Sequence, residues 1–113
     1  MIFFKKKRSK YNNVKVVIDG ITFDSKREGK RYNELKYLVM GREIKDLVLQ
    51  PKYDLMVNGT KIGFYRGDFL YYDVKNKKNI LEDVKSPATI TAVYKLKKKI
   101  LATYNPPITI IEV

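Results

Sequence analysis

The sequence contains neither cysteine nor histidine. Without cysteine, the chain can form no disulfide and offers neither a catalytic thiol nor a thiolate ligand for a metal. Without histidine, it cannot use Ser-His-Asp or Cys-His catalysis, a histidine-based zinc site or a histidine general base. Any acid–base or metal chemistry must therefore rest on Asp, Glu, Lys or Tyr side chains.

Long apolar runs are missing as well, since no run of about 18 apolar residues, the length that would span a membrane, occurs. The first residues, MIFFKKKRSKYNN, place apolar side chains before basic ones, which is the reverse of a secretory signal. We therefore expect an intracellular, cytoplasmic protein without a membrane partner.

Acidic residues are scarce relative to basic ones. The chain has 12 Asp and Glu against 24 Lys and Arg, which gives a formal net charge of +12 over 113 residues. In so small a protein this charge predicts a polyanionic partner, with nucleic acid as the first candidate and an anionic membrane surface as the second. The basic residues cluster in KKKR, which is Lys5, Lys6, Lys7 and Arg8, and in YKLKKK, residues 94–99.

The length and the 44% hydrophobic content are sufficient for one domain with its own core. We assign this domain to residues 14–113 and expect residues 1–13 to be a basic, partly flexible arm. Asp19-Gly20, between two β-type runs, predicts a tight hairpin. Ser25 and Glu28 fit a capping box, which predicts a helix from about 25 to 40 that ends at Gly41.

The next segment reads as three strands, at about 47–57, 61–73 and 79–85. Turns are predicted at Asn58-Gly59 and at residues 76–79, and Pro51 should kink the first strand. A helix over residues 89–104 follows, with an apolar face of Val93, Leu96, Ile100 and Tyr104 and a basic stripe of Lys95, Lys98 and Lys99. The last residues, ITIIEV, read as a final strand.

The predicted order is hairpin, helix, three strands, helix and strand. This order indicates an α/β fold of the mixed α+β type. We expect a central mixed β-sheet flanked by two main helices and preceded by an N-terminal β-hairpin.

The segment NILEDVKSP, residues 79–87, carries two acids and a lysine in a run that is otherwise apolar. Because side chains alternate along a strand, Asp83 and Lys85 should share one face, with Glu82 on the other. Antiparallel pairing with the preceding strand would bring Asp68 close to Asp83. Carboxylate ligands favour Mg²⁺ or Mn²⁺, and a nearby lysine can stabilise a phosphorane-like transition state. These residues therefore predict metal-assisted phosphodiester hydrolysis.

Asp68, followed fifteen residues later by Asp83-Val84-Lys85, resembles the D…(D/E)-x-K signature of the PD-(D/E)XK nuclease superfamily. The run from GITFDSKREGKRYNELKYL to DVKSPATITAVYKLKKKI resembles a group of small, basic, phage-encoded proteins of this superfamily, over about residues 14–113. Two departures are Gly67 in place of proline and Asp83 in place of the more usual glutamate. Glu82 also makes the register of the motif ambiguous.

The resemblance implies a restriction-endonuclease-like core with a Mg²⁺ or Mn²⁺ site and without haem or a nucleotide cofactor. The metal ligands would be Asp68, Asp83 and the backbone carbonyl of Val84, with Glu28 as an accessory metal ligand and catalytic residue. Lys85 would be the catalytic lysine. Each residue also has a structural interpretation: Glu28 can serve only as a helix cap, and Asp83 with Lys85 can form a simple ion pair.

The function implied is a metal-dependent endodeoxyribonuclease that selects branched DNA, such as a flap or a Holliday junction, in phage replication or recombination. From the charge pattern we expect Lys95, Lys98 and Lys99 to contact the DNA backbone together with the basic arm. Symmetric cutting of a junction would require a homodimer. The alternative is a non-catalytic nucleic-acid-binding protein that retains the nuclease fold.

Overall fold

The computed structural model describes residues 14–113, so the predicted arm and its Lys5, Lys6, Lys7 and Arg8 lie outside the described residues. The described chain is a mixed α+β fold. Its elements are β1 (Val16–Ile18), β2 (Ile21–Phe23), α1 (Lys26–Met40), β3 (Ile44–Leu49), β4 (Lys52–Val57), β5 (Thr60–Arg66), β6 (Phe69–Asp73), β7 (Lys78–Asp83), α2 (Ala92–Ala102) and β8 (Ile110–Glu112).

The central sheet has four strands in the order β3-β6-β7-β8. The pairs β3–β6 and β6–β7 are antiparallel, whereas β7 and β8 run parallel, so the sheet is mixed as predicted. The pairs β1–β2 and β4–β5 form separate two-stranded hairpins. None of the helices within residues 14–113 is long and apolar enough to cross a membrane.

Both tight turns predicted from Asp-Gly and Asn-Gly pairs are present. Asp19 and Gly20 have φ values of 53° and 75°, and Asn58 and Gly59 have values of 49° and 79°. Positive φ at both central residues is the geometry of a type I′ turn, whose twist matches that of the flanking strands. The sequence signal is sufficient here because few other residues tolerate this conformation.

The predicted start of α1 is confirmed. The Ser25 side-chain oxygen accepts a hydrogen bond from the Glu28 backbone N–H at 3.1 Å, and the helix ends at Gly41. Gly29 lies on the inner face, where an added Cβ would stand 2.7 Å from the Val16 side chain. This close contact holds the N-terminal hairpin against the first half of α1.

The prediction of continuous strands over 47–57 and 61–73 is wrong. The first divides into β3 and β4 at Gln50, which has a φ of 52°, and at Pro51. The second divides into β5 and β6 at Gly67 and Asp68. Proline cannot donate a hydrogen bond to a neighbouring strand, and the left-handed Gln50 changes the chain direction. As a result, β3 and β6 stay in the central sheet while β4 and β5 leave it as a hairpin.

The central sheet is covered on both faces. One apolar cluster, which packs under α1 and the first hairpin, contains Phe23, Tyr32, Leu35, Ile44, Phe69, Tyr71 and Ile80. The other, which packs under α2 and the β4–β5 hairpin, contains Leu55, Tyr65, Leu81, Tyr94, Leu101 and Ile110. Neighbouring residues of β7 thus enter different clusters, as the alternation of side chains along a strand requires.

The second helix is shorter than predicted and presents a different face to the core. Thr91 caps it, and a 3₁₀ turn at Pro87–Thr89 precedes it. Tyr94 is buried, whereas Val93 and Leu96, predicted to be inside, are 61% and 59% exposed. Ile100 and Tyr104, predicted on the same face, do pack against the core. The prediction is therefore wrong for the first half of the helix, where Tyr94 packs against Tyr65 with ring centroids 6.4 Å apart.

Candidate functional site

Asp68 directly precedes β6 and lies beside the end of β7, as the predicted antiparallel pairing required. Phe69 pairs with Glu82, and the Asp68 backbone N–H donates to the Glu82 carbonyl at 3.1 Å. The Val84 backbone N–H donates to Asp68 Oδ2 at 2.7 Å. The end of β7 therefore holds the Asp68 carboxyl beside the segment that carries Asp83, Val84 and Lys85.

Asp83 and Lys85 share one face, as the strand alternation predicted. Asp83 is 4% exposed, and Lys85 Nζ lies 3.5 Å from its Oδ1 atom. The Tyr65 hydroxyl donates a short hydrogen bond to Asp83 Oδ2. Lys85 Nζ also lies 4.3 Å from the centre of the Tyr94 ring. Two tyrosines therefore fix the acid and the lysine of the predicted motif.

Glu28 reaches the same place from the first turn of α1. Its carboxyl interacts electrostatically with Asp68, Asp24 and Asp83. Burial is the largest cause that raises the pKa of Glu28. Glu28 can take part both in the helix cap and in the site, because the bond to Ser25 uses its backbone N–H and not its carboxyl.

The Asp68 carboxyl is partly buried beside other acids, which changes its pKa. Burial first, and then a hydrogen bond with Asp83 and the charges of Asp83 and Glu28, raise the pKa of Asp68 to about 8. Carboxylates this close repel one another in a partly dry environment. The group is therefore ready to accept a proton or a cation.

Glu82, the other acid of the segment, belongs to a different cluster. It is 1% exposed, and Arg31 donates to its two carboxylate oxygens at 2.8 Å and 2.6 Å. The Tyr71 hydroxyl donates a short hydrogen bond to the same carboxylate. Glu82 thus joins α1 to β7 and is occupied by Arg31 and Tyr71, apart from Asp68 and Asp83.

Sequence reasoning missed the residues that surround the predicted ones. Nothing singled out Tyr65 or Tyr94 among the 9 tyrosines. The position of Arg31 could have been predicted, because it follows Glu28 by three residues and so lies on the same face of the helix. A basic residue in that position could have been expected to meet an acid of the sheet.

A cavity of about 210 Å³ opens beside Glu28 and Asp68 and is also lined by Gln50. The Gln50 backbone N–H donates to the Asp68 carbonyl at 2.9 Å. This bond uses the backbone of Gln50 and does not depend on its side chain. Among residues 14–113, no hydrogen bond involves its side-chain amide.

The predicted DNA-binding lysines of α2 are not equivalent. Lys95 and Lys99 are exposed. Lys98 is half-buried, and its Nζ donates to Glu112 at 2.8 Å, next to the bond from the Tyr94 hydroxyl. Lys98 therefore joins α2 to β8, whereas the other two are open to solvent.

Within residues 14–113, no three Asp, Glu, His or Cys side chains form a group arranged to hold a metal ion. Glu28, Asp68 and Asp83 interact with one another without forming a complete carboxylate ligand set. The predicted metal ligands also include the backbone carbonyl oxygen of Val84, which is not a carboxylate.

A family model described as "Protein of unknown function (DUF1064)" matches residues 8–110. No match was found among the curated proteins or the solved structures. The matched range includes both helices, the whole central sheet up to the first residue of β8, and every residue of the candidate site. The chain therefore belongs to the DUF1064 family of proteins of unknown function.

Proposed function

We propose that this chain is a Mg²⁺- or Mn²⁺-dependent endodeoxyribonuclease with a restriction-endonuclease-like core. The observation that carries the proposal is the convergence of Glu28, Asp68, Asp83 and Lys85 at the end of β7. Glu28 comes from α1, Asp68 directly precedes β6, and Asp83 and Lys85 lie at and just after the end of β7, so three separate parts of the chain contribute. Their approach is therefore a property of the fold.

The residues fit a hard divalent cation in their chemistry. Asp68, Asp83 and the Val84 carbonyl would hold it, with Glu28 as an accessory ligand, because Mg²⁺ and Mn²⁺ prefer oxygen donors. The raised pKa of Asp68, about 8, supports this fit, since crowded carboxylates favour a cation among them. Such a cation, when bound, lowers the pKa of a water and stabilises negative charge on phosphate.

Lys85 supplies the positive charge of the protein itself. Its ammonium group lies between Asp83 and the Tyr94 ring, so its position is restricted before substrate arrives. From there it would donate to the attacking water or to a phosphate oxygen on which charge develops. Tyr65 would keep Asp83 in a fixed orientation through its hydrogen bond.

The substrate we propose is branched DNA, such as a junction or flap, in the cytoplasm of a phage-infected bacterium. The net charge of +12 favours a polyanion, and the exposed Lys95 and Lys99 extend the basic surface of α2. Cutting both strands of a junction symmetrically would require two copies of the chain. The phage setting rests on the sequence resemblance alone.

The alternative is a nucleic-acid-binding protein with the same fold and no chemistry. One observation favours it: residues 14–113 contain no group of three acids arranged for a metal ion. In that case the contact of 3.5 Å between Lys85 and Asp83 would be a structural ion pair.

The decisive experiment compares the wild type with Lys85→Ala on labelled single strand, duplex, nicked duplex, flap and four-way junction. Each DNA is incubated with EDTA, Mg²⁺ or Mn²⁺. We expect metal-dependent cutting by the wild type and a loss of about 100-fold or more in the variant, as for removal of one stabilising donor. DNA binding should persist in both proteins.

The matched control is Lys78→Ala, which removes an exposed lysine from the opposite end of β7. This variant should cut at the wild-type rate. Absence of cutting on every DNA, together with salt-dependent binding and no Mn²⁺ binding in calorimetry, would establish the non-catalytic alternative.

A further inference from the structure

Phe64, on β5, is an exposed ring surrounded by cations. The side chain is 42% exposed. Lys52 Nζ lies 4.6 Å, Arg66 Cζ 5.6 Å and Lys97 Nζ 5.7 Å from the ring centre. The cations come from β4, β5 and α2, so three elements contribute to one spot. We call Phe64 with these three cations the Phe64 patch.

The positive charge of the Phe64 patch is not neutralised locally. None of the ion pairs within residues 14–113 includes Lys52, Arg66 or Lys97. Asp54, which lies opposite Phe64 in the hairpin, pairs instead with Lys61 at 3.3 Å. Three like charges around one ring repel one another, and the approach of an anion would relieve this repulsion.

The Phe64 patch shares two elements of the fold with the surroundings of the candidate site. Lys97 follows Tyr94 by three residues on α2, which is about 4.5 Å along the helix axis. Lys85 Nζ lies 4.3 Å from the Tyr94 ring centre. Arg66 is the last residue of β5, separated from Asp68 by Gly67 alone. The patch and the candidate site are therefore joined through two elements, α2 and the end of β5.

We propose that the Phe64 patch binds an unpaired nucleotide of a DNA strand. The base would stack on Phe64 as Lys52, Arg66 and Lys97 move from the ring to the flanking phosphates. An exposed aromatic ring among cations is the combination with which proteins hold single strands. A duplex hides the faces of its bases, so only a strand with unpaired bases can use the ring.

The inference rests on the proposed nuclease function in one respect, since it takes DNA as the polyanion. It adds a reason for substrate choice. Duplex DNA would contact only the cations, whereas a flap or an open junction would also stack a base. The same ring and cations would otherwise stabilise only the protein itself, by about 0.5–1 kcal/mol for each exposed cation–π contact.

The test measures binding of the full chain to a labelled single strand and to a duplex of the same length, in EDTA, by fluorescence anisotropy. Phe64→Leu keeps an apolar side chain and removes the ring. We expect it to weaken single-strand binding about 10-fold, in line with the loss of one stacked base, and duplex binding less than about 2-fold. Lys97→Gln should weaken binding to both DNAs.

The matched control is Tyr37→Leu, which removes a ring that is 67% exposed on α1. It should leave both affinities unchanged. Equal losses for single strand and duplex, or no loss in Phe64→Leu, would overturn the inference.

Because the measurement is made in EDTA, its outcome is independent of cleavage. A wild type that cuts DNA but whose Phe64→Leu variant binds normally would refute the patch alone. A wild type that never cuts, but loses single-strand affinity on Phe64→Leu, would refute the nuclease and retain the patch.

Discussion

At the scale of single residues, the candidate site depends on what burial does to Asp68. Its folded pKa is raised from 3.8 to about 8, first by burial and then by Asp83 and Glu28. A carboxyl with a raised pKa contributes stability that is complete below the unfolded pKa and is lost as the pH rises through the folded value. The protein should therefore lose stability between about pH 4 and pH 8 through this group.

Asp68→Asn removes the charge and keeps an oxygen that can accept the Val84 N–H. In EDTA, we expect the variant to melt above the wild type at pH 8, by roughly 4–8 °C for each kcal/mol recovered. At about pH 4 and below, both side chains are neutral and the difference should vanish. Thermal unfolding followed by circular dichroism across this range measures the effect.

Asp46→Asn provides the control, because it removes an exposed carboxylate from β3. Its melting temperature should follow that of the wild type at every pH. An Asp68→Asn variant whose melting temperature differs from the wild type by the same amount at pH 4 and pH 8 would show that the Asp68 charge is not costly.

At the scale of elements, the candidate site requires α1 to stay in register with β7. Glu28 and Arg31 lie on one face of α1, and Arg31 holds the carboxylate of Glu82 with two donors. Glu82 immediately precedes Asp83. The Arg31–Glu82 contact therefore sets how closely Glu28 can approach Asp68 and Asp83.

Arg31→Met should destabilise the protein by about 3–5 kcal/mol, because it leaves the buried Glu82 carboxylate without its cation. The double variant Arg31→Met/Glu82→Gln should recover most of this loss, since no unpaired charge remains. Urea unfolding gives both free energies. Arg27→Met, which changes an exposed arginine on the same helix, should cost little. A double variant as unstable as Arg31→Met alone would contradict this account.

The two helices differ in how much of their structure could be predicted from the sequence. The start of α1 could be read from Ser25 and Glu28, because capping is local chemistry between residues close in sequence. The buried face in the first half of α2 could not be predicted from its apolar residues, because Val93 and Leu96 are exposed. Tyr94 is inside because Tyr65 and Glu112 meet it, and both are distant in the chain.

At the scale of the whole molecule, the basic side chains that produce the net charge of +12 are not equivalent, because some of them form ion pairs and others are exposed. On α2, Lys98 is held by Glu112, whereas Lys95 and Lys99 are exposed. Only a cation that contacts phosphate releases counterions from DNA. The three lysines should therefore differ in what they contribute to binding.

We expect Lys95→Gln and Lys99→Gln each to reduce the slope of log K against log salt by about 0.9 on duplex DNA, because each variant neutralises one phosphate fewer. Lys98→Gln should change the slope less. Anisotropy titrations in EDTA between about 50 and 200 mM salt measure these slopes. Equal slopes for all three variants would show that the ion pair with Glu112 opens on binding.

The sequence by itself determined what depends on local chemistry. It predicted both tight turns, the start of the first helix, the mixed α+β fold, and the approach of Asp68 to Asp83, because alternation and antiparallel pairing are rules of neighbouring strands. It also determined which kinds of chemistry are excluded, through the absence of cysteine and histidine.

The tertiary structure alone decided what depends on residues far apart in the chain. It divided two predicted strands at Gln50 and Gly67, gave Glu82 to Arg31, and turned α2 so that Tyr94 is buried. It also gathered the cations of the Phe64 patch from three elements. Packing selects these arrangements. They depend on which side chains each face of the sheet buries, and the spacing of residues along the sequence does not reveal this.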